Sequence, residues 1–163
     1  MRERLRKPII LLNLAVILLI VGVETFKKER LRETGELVLF TLAPVDPRSL
    51  MQGDYMQLAY DITRSNFTEE LSSSGYIVFS LDENKVATFI RFQNELEPTA
   101  GNERKIKYHR HESEISFGAE EFFFQEGAGP IFANAKFGAL RIDSKGNGIL
   151  VGVFDKDHNE IRQ

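Results

Sequence analysis

The chain has no cysteine and no tryptophan, and only three histidines among its 163 residues. Without cysteine, disulfides, thiolate zinc sites and cysteine nucleophiles are excluded together. An excess of positive charge is also missing: 21 basic residues meet 24 acidic ones, a formal net charge of −3. There is thus no global basic field of the kind that nucleic-acid binding draws on. Proline and glycine are too sparse, at five and 12 residues, for a collagen-like or low-complexity chain. What remains is 42% hydrophobic and 28% charged, the composition of one globular domain with a short appendage. No internal repeat and no second-domain boundary is visible.

The appendage comes first. Residues 1–7 carry Arg2, Arg4, Arg6 and Lys7, and Pro8 opens a run from Ile9 to Val23 whose one polar side chain is Asn13. A basic start before an apolar run marks a signal peptide or a membrane helix. A bilayer core of roughly 30 Å needs about 20 helical residues, and residues 8–26 supply that length if Lys7 and Glu24 reach the interfaces. Val21-Gly22-Val23 followed by Glu24 is a poor match to a small-residue cleavage site. We therefore expect an uncleaved anchor over 8–26, with a cleaved signal and a buried soluble helix as alternatives. Lys27, Lys28, Arg30 and Arg32 after the run balance the basic residues before it, so the positive-inside count is a tie. The signal-like layout favours a cytoplasmic head at 1–7 and an exported remainder. Residues 27–34 are rich in helix formers and end before Gly35, which predicts a helical stalk. Residues 1–35 hold eight of the basic and four of the acidic residues, leaving the rest with 13 against 20, a net of −7.

Beyond Gly35 the apolar period changes from 3.6 to 2. Runs at 36–42, 55–62, 76–81 and 85–92 predict strands, with Asp82-Glu83-Asn84 as a tight connection. Residues 95–102 read as a loop, and 106–117 alternates again with a slip near His111–Glu114. Residues 137–142 and 148–154 flank Asp143–Asn147, a strong hairpin signal. The expected fold of 35–163 is mainly β, an antiparallel sheet or partly open barrel with minor short helices. Residues 117–135 resist the strand reading: Phe122-Phe123-Phe124 is followed by Gly127, Gly129 and Pro130, which predicts a short helix to about Ala135. Three adjacent aromatics cannot all face inward on a simple strand and need apolar cover on more than one side: they fill the core, or face the anchor or a partner.

Gly53-Asp54-Tyr55-x-x-Leu58-x-Tyr60, preceded by Asp46-Pro47-Arg48-Ser49-Leu50, resembles the signature of the bacterial GDYXXLXY family. The likeness extends along nearly all the chain: a basic start, one N-terminal membrane helix, and a later Gly-x-Glu-x-x-Phe-x-x-Glu-Gly element at Gly118, Glu120, Phe123, Glu126 and Gly127. Relatives often carry proline before that Glu-Gly, where this chain has Gln125. The resemblance implies an anchor in the inner membrane, an extracytoplasmic β domain and association with a polytopic membrane protein. It implies no defined activity.

The signature residues have two readings. As structure, Gly53 makes a turn, Asp54 accepts its hydrogen bonds, and Tyr55 to Ile62 forms an alternating strand. As function, Asp46, Arg48, Asp54 and Tyr55 form a recognition surface, with Gly53, Leu58, Tyr60, Glu120, Phe123, Glu126 and Gly127 as the other signature residues of a possible binding surface. An envelope hydrolase using Asp46, Asp54 and Glu126 is the catalytic alternative to an accessory binding module. A superficial likeness to signal peptidases fails at its nucleophile: Val45 stands where the serine would, and no lysine lies between Arg32 and Lys85. His109 and His111 offer two ligands where a metal needs three or four. Asp143, Asp155 and Asp157 sit in turns without a calcium loop's spacing. No cofactor, metal or nucleic-acid partner is expected, and the bilayer is met through the N-terminal helix.

Overall fold

The computed structural model describes residues 2–43, 55–64, 71–96, 100–112 and 114–162, with side chains from Lys7 onward. It opens with one helix, α1 (Arg2–Thr34), 33 residues and about 50 Å long. The apolar run and the stalk are one continuous element. The large apolar side chains from Ile9 to Val23 are 46% to 69% exposed, so nothing among the described residues covers them. This overturns the alternative of a buried soluble helix. By length and composition α1 can cross a membrane or act as a signal sequence.

The helix stops at Gly35, whose N–H donates to the Leu31 carbonyl at 2.9 Å. A Cβ at this position would lie 2.6 Å from that oxygen, which only glycine avoids. Arg141 then reaches back and donates to the Gly35 carbonyl at 2.8 Å, pinning the helix end to the sheet.

The remainder is mostly β, with antiparallel sheets forming a half-barrel. β1 (Glu36–Thr41), β8 (Phe137–Ile142) and β9 (Gly148–Phe154) make a sheet of order β1-β8-β9. β3 (Ser74–Leu81), β4 (Ala87–Gln93), β5 (Glu103–His111) and β6 (Glu114–Ser116) make another of order β4-β3-β5-β6. β2 (Tyr55–Gln57) and β7 (Glu121–Phe123) form a two-stranded ribbon. A parallel bridge from Leu39 to Val86 joins the larger sheets along one edge, and the Lys107 N–H donates to the Gly146 carbonyl at 2.8 Å across the other. Short helices α2 (Asp61–Arg64) and α3 (Gly129–Phe132) complete the chain.

Three tight connections are built alike. In each, an aspartate side chain accepts the backbone N–H groups two and four residues on, at 2.8–2.9 Å: Asp82 from Asn84 and Val86, Asp143 from Lys145 and Asn147, Asp155 from Asp157 and Asn159. The residue three positions after each aspartate has positive φ: Lys85 at 64°, Gly146 at 78° and His158 at 60°. Short carboxylates satisfying their own turn account for these acidic residues without a cation.

Several strand expectations are corrected. The strand expected over 55–62 is only Tyr55–Gln57; at Asp61 the chain turns into α2, where the Thr63 hydroxyl donates to the Tyr60 carbonyl at 2.9 Å. Leu58, Tyr60 and Ile62 are nonetheless all buried, because the bend keeps the same side chains inward. The slip in 106–117 is a chain reversal between β5 and β6, with Glu112 at φ 51°. The short helix expected to reach Ala135 ends at Phe132, one turn earlier.

The core is an aromatic lattice between the sheets. Phe40 packs against Tyr60, Phe79 and Phe117 with ring centroids 6.0, 5.2 and 5.3 Å away. Phe92 and Tyr108 meet edge-on at 5.5 Å. Such pairs add roughly 0.5–1.5 kcal/mol each beyond the area they bury.

Candidate signature site

The two motifs that are distant in sequence are partners in space. β2 and β7 pair antiparallel, with Tyr55 opposite Phe123, Met56 opposite Phe122 and Gln57 opposite Glu121. Alternation gives the ribbon two faces. Met56 and Phe122 turn inward, and Phe122 and Phe124 both close on Phe132, with centroids 5.0 and 5.3 Å away. Phe123 turns outward, 68% exposed, with its ring 5.8 Å from that of Tyr55. The Phe122–Phe124 triplet therefore divides, with its two outer members packed and its centre bare.

Beyond the ribbon the motifs interlock further. The Leu58 N–H donates to the Glu120 carbonyl at 2.6 Å. The Tyr60 hydroxyl donates to the Ala119 carbonyl at 2.6 Å. Tyr60 is 1% exposed; burial first, and then the neighbouring Glu120 carboxylate, push its phenol well above the ordinary 10.0. It is a core hydroxyl held neutral, and its ring lies close over the backbone of β8: a Cβ on Gly138 would meet it at 2.7 Å.

Glu120 is a turn-former. Its carboxylate accepts the Ser116 hydroxyl at 2.8 Å, the Phe117 N–H at 2.6 Å and the Ala119 N–H at 2.9 Å. Gly118 inside that loop has φ 72°, a conformation that glycine adopts at no steric cost. The Gly-x-Glu half of the second motif thus builds the loop that receives Tyr60. At the motif's other end Gly127, at φ 83°, turns the chain toward α3, and Glu126 beside it is exposed. Asp46, Arg48, Gly53 and Asp54 lie outside the described residues, so of the expected set Tyr55, Leu58, Tyr60, Glu120, Phe123, Glu126 and Gly127 are seen. Leu58, Tyr60 and Glu120 serve the fold; Tyr55 and Phe123 make the outward patch.

Sequence reasoning missed two residues. Gly138 is required by the Tyr60 ring, and Ser116 completes the Glu120 loop. Neither carries a local signal, since each is defined by a partner distant in sequence or by a loop's exact path. His109 and His111 are exposed on β5, and among the described residues no three metal-ligating groups come together.

A family model described as GDYXXLXY protein matches residues 17–153, and the chain belongs to that family. No curated protein and no solved structure matches it.

Proposed function

We propose that this member of the GDYXXLXY family is an accessory binding module. It is held in the inner membrane by α1, with its sheet domain on the extracytoplasmic side. It associates with a polytopic membrane protein through the outer face of the signature ribbon. The observation that carries this reading is the bare Phe123 ring beside Tyr55. Among the described residues the other aromatics of that region are packed, and an exposed ring beside a half-buried tyrosine is the composition of an interface anchor. The uncovered apolar helix supports the anchor. Asn13 donates one N–H to the Ile9 carbonyl at 3.1 Å within its own helix, which satisfies part of its amide, and the ribbon is the stronger candidate for contact.

Two measurements test the proposal. Reporter fusions after Gln163 read topology: an active exported reporter is expected, and an active cytoplasmic one contradicts it. Purification from membranes in mild detergent reads association. Phe123→Ser is expected to release a co-purifying membrane protein while circular dichroism stays unchanged, since an exposed side chain contributes little to stability. A folded variant that keeps the complex intact contradicts the ribbon as the contact.

A further inference from the structure

A cleft of about 1400 Å³ separates the stalk turns of α1 from the sheet domain. Glu24, Lys27, Lys28 and Leu31 form its helical wall, at the i, i+3, i+4 and i+7 spacing of one helix face. The opposite wall includes Glu121 of the ribbon and Lys145 of the β8–β9 turn, and Ile149 and Leu150 give it an apolar part.

Most charges around the cleft are already matched. Lys27 bonds to Glu24 at 2.7 Å, Arg104 pairs with Glu36, and Glu103 is held by Arg91 at 2.7 Å. Asp143 is taken up by its own turn. The side chains of Lys28, Arg30, Lys145 and Glu121 have no hydrogen bond or ion pair among the described residues, and all four line the cleft. Three cations without an ion pair, Lys28, Arg30 and Lys145, therefore face the carboxylates of Glu121 and Asp143 around a partly apolar cavity. Glu24 to Lys28 directly follow the apolar run. The polar layer of a bilayer is roughly 5–7 Å deep on each side, about four helical residues, so a spanning α1 sets this wall at headgroup depth.

We infer that the cleft binds the phosphate headgroup of an anionic phospholipid. Lys28, Arg30 and Lys145 face the phosphate. The inference rests on the anchoring reading above. The same cations would meet a free phosphate ester, and the experiment separates the two sources.

The full-length protein in dodecyl maltoside is titrated with phosphatidylglycerol, phosphatidylcholine and inorganic phosphate, and bound lipid is counted by native mass spectrometry. Expected are discrete phosphatidylglycerol adducts, few with phosphatidylcholine, and no displacement by millimolar inorganic phosphate. Lys28→Glu with Lys145→Glu should weaken phosphatidylglycerol binding by about tenfold or more. Arg32→Glu with Lys156→Glu makes the same charge change away from the cleft and should leave binding nearly unchanged. Equal losses in both double variants overturn the site in favour of unspecific attraction, and displacement by inorganic phosphate overturns the lipid as the ligand. Carbonate extraction of membranes reads the anchor alone. Protein released by carbonate removes the anchoring reading and this inference with it; protein retained, with lipid binding indifferent to the cleft variants, overturns the site and leaves the anchor standing.

Discussion

The Tyr60 hydroxyl donates to the Ala119 carbonyl at 2.6 Å, across 59 residues of sequence. That bond ties the last residue of one motif to the loop formed by the other, inside an aromatic cluster in which Phe40 and Tyr60 are fully buried. Tyr60→Phe keeps the ring and strands the carbonyl. It should lower unfolding free energy by about 1–3 kcal/mol in urea titration. The folded phenol ionises above its ordinary value, so it contributes stability below the unfolded value near 10, and that contribution is lost as pH rises beyond it. The fall in stability of the wild type above about pH 10 should therefore be smaller in the variant. Equal alkaline limbs would contradict the buried, neutral hydroxyl.

Glu120 gathers three donors into one turn. Glu120→Ala leaves them without a charged acceptor and should cost about 2–3 kcal/mol, whereas Ser116→Ala removes one donor and should cost about 1 kcal/mol or less. Thermal melts of the two variants compare them directly. A Glu120→Ala protein as stable as the wild type would return this residue to the class of surface recognition groups.

The Arg91 guanidinium, and next the Ala100 N–H, hold the Glu103 carboxyl down at about 2. A depressed carboxylate stabilises the fold above its ordinary value of 4.5 and loses that contribution as pH falls toward 2. Glu103→Gln should flatten the acid limb in that window, read by ellipticity against pH. An unchanged limb would show that the ion pair does not form in solution.

The three aspartate turns differ at the residue of positive φ. Lys85 adopts φ 64° where glycine would be unstrained, and Gly146 adopts 78° with backbone and the Tyr76 ring close by. Lys85→Gly should be neutral to stabilising by up to about 1 kcal/mol, and Gly146→Ala destabilising by about 1–2 kcal/mol. Opposite signs in chemical denaturation would remove the account of these turns.

What could be read from sequence followed the reach of each signal. The α1 helix, the stop at Gly35 and the β8–β9 hairpin rest on local patterns: an unbroken apolar run, a capping glycine, and Asp-x-x-Gly-Asn between two strands. The Phe122–Phe124 triplet announced a divided environment, because an alternating strand cannot bury three neighbours. The ribbon itself was not legible. Tyr55 and Phe123 are 68 positions apart in strands of three residues each, too short for a period and joined by no turn. For the same reason Glu120 read as part of a recognition surface, when its carboxylate closes a loop. The bend at Asp61 was hidden because Leu58, Tyr60 and Ile62 alternate whether the backbone continues as a strand or coils.

The outer face of the ribbon is proposed to meet a membrane partner. Site-specific photo-crosslinking in intact membranes tests it most directly, with a benzophenone amino acid at position 123 and a control at Thr88, an exposed residue of β4. A discrete adduct with one integral membrane protein is expected from position 123 and none from position 88. No adduct at 123, or the same adducts from both positions, would contradict it.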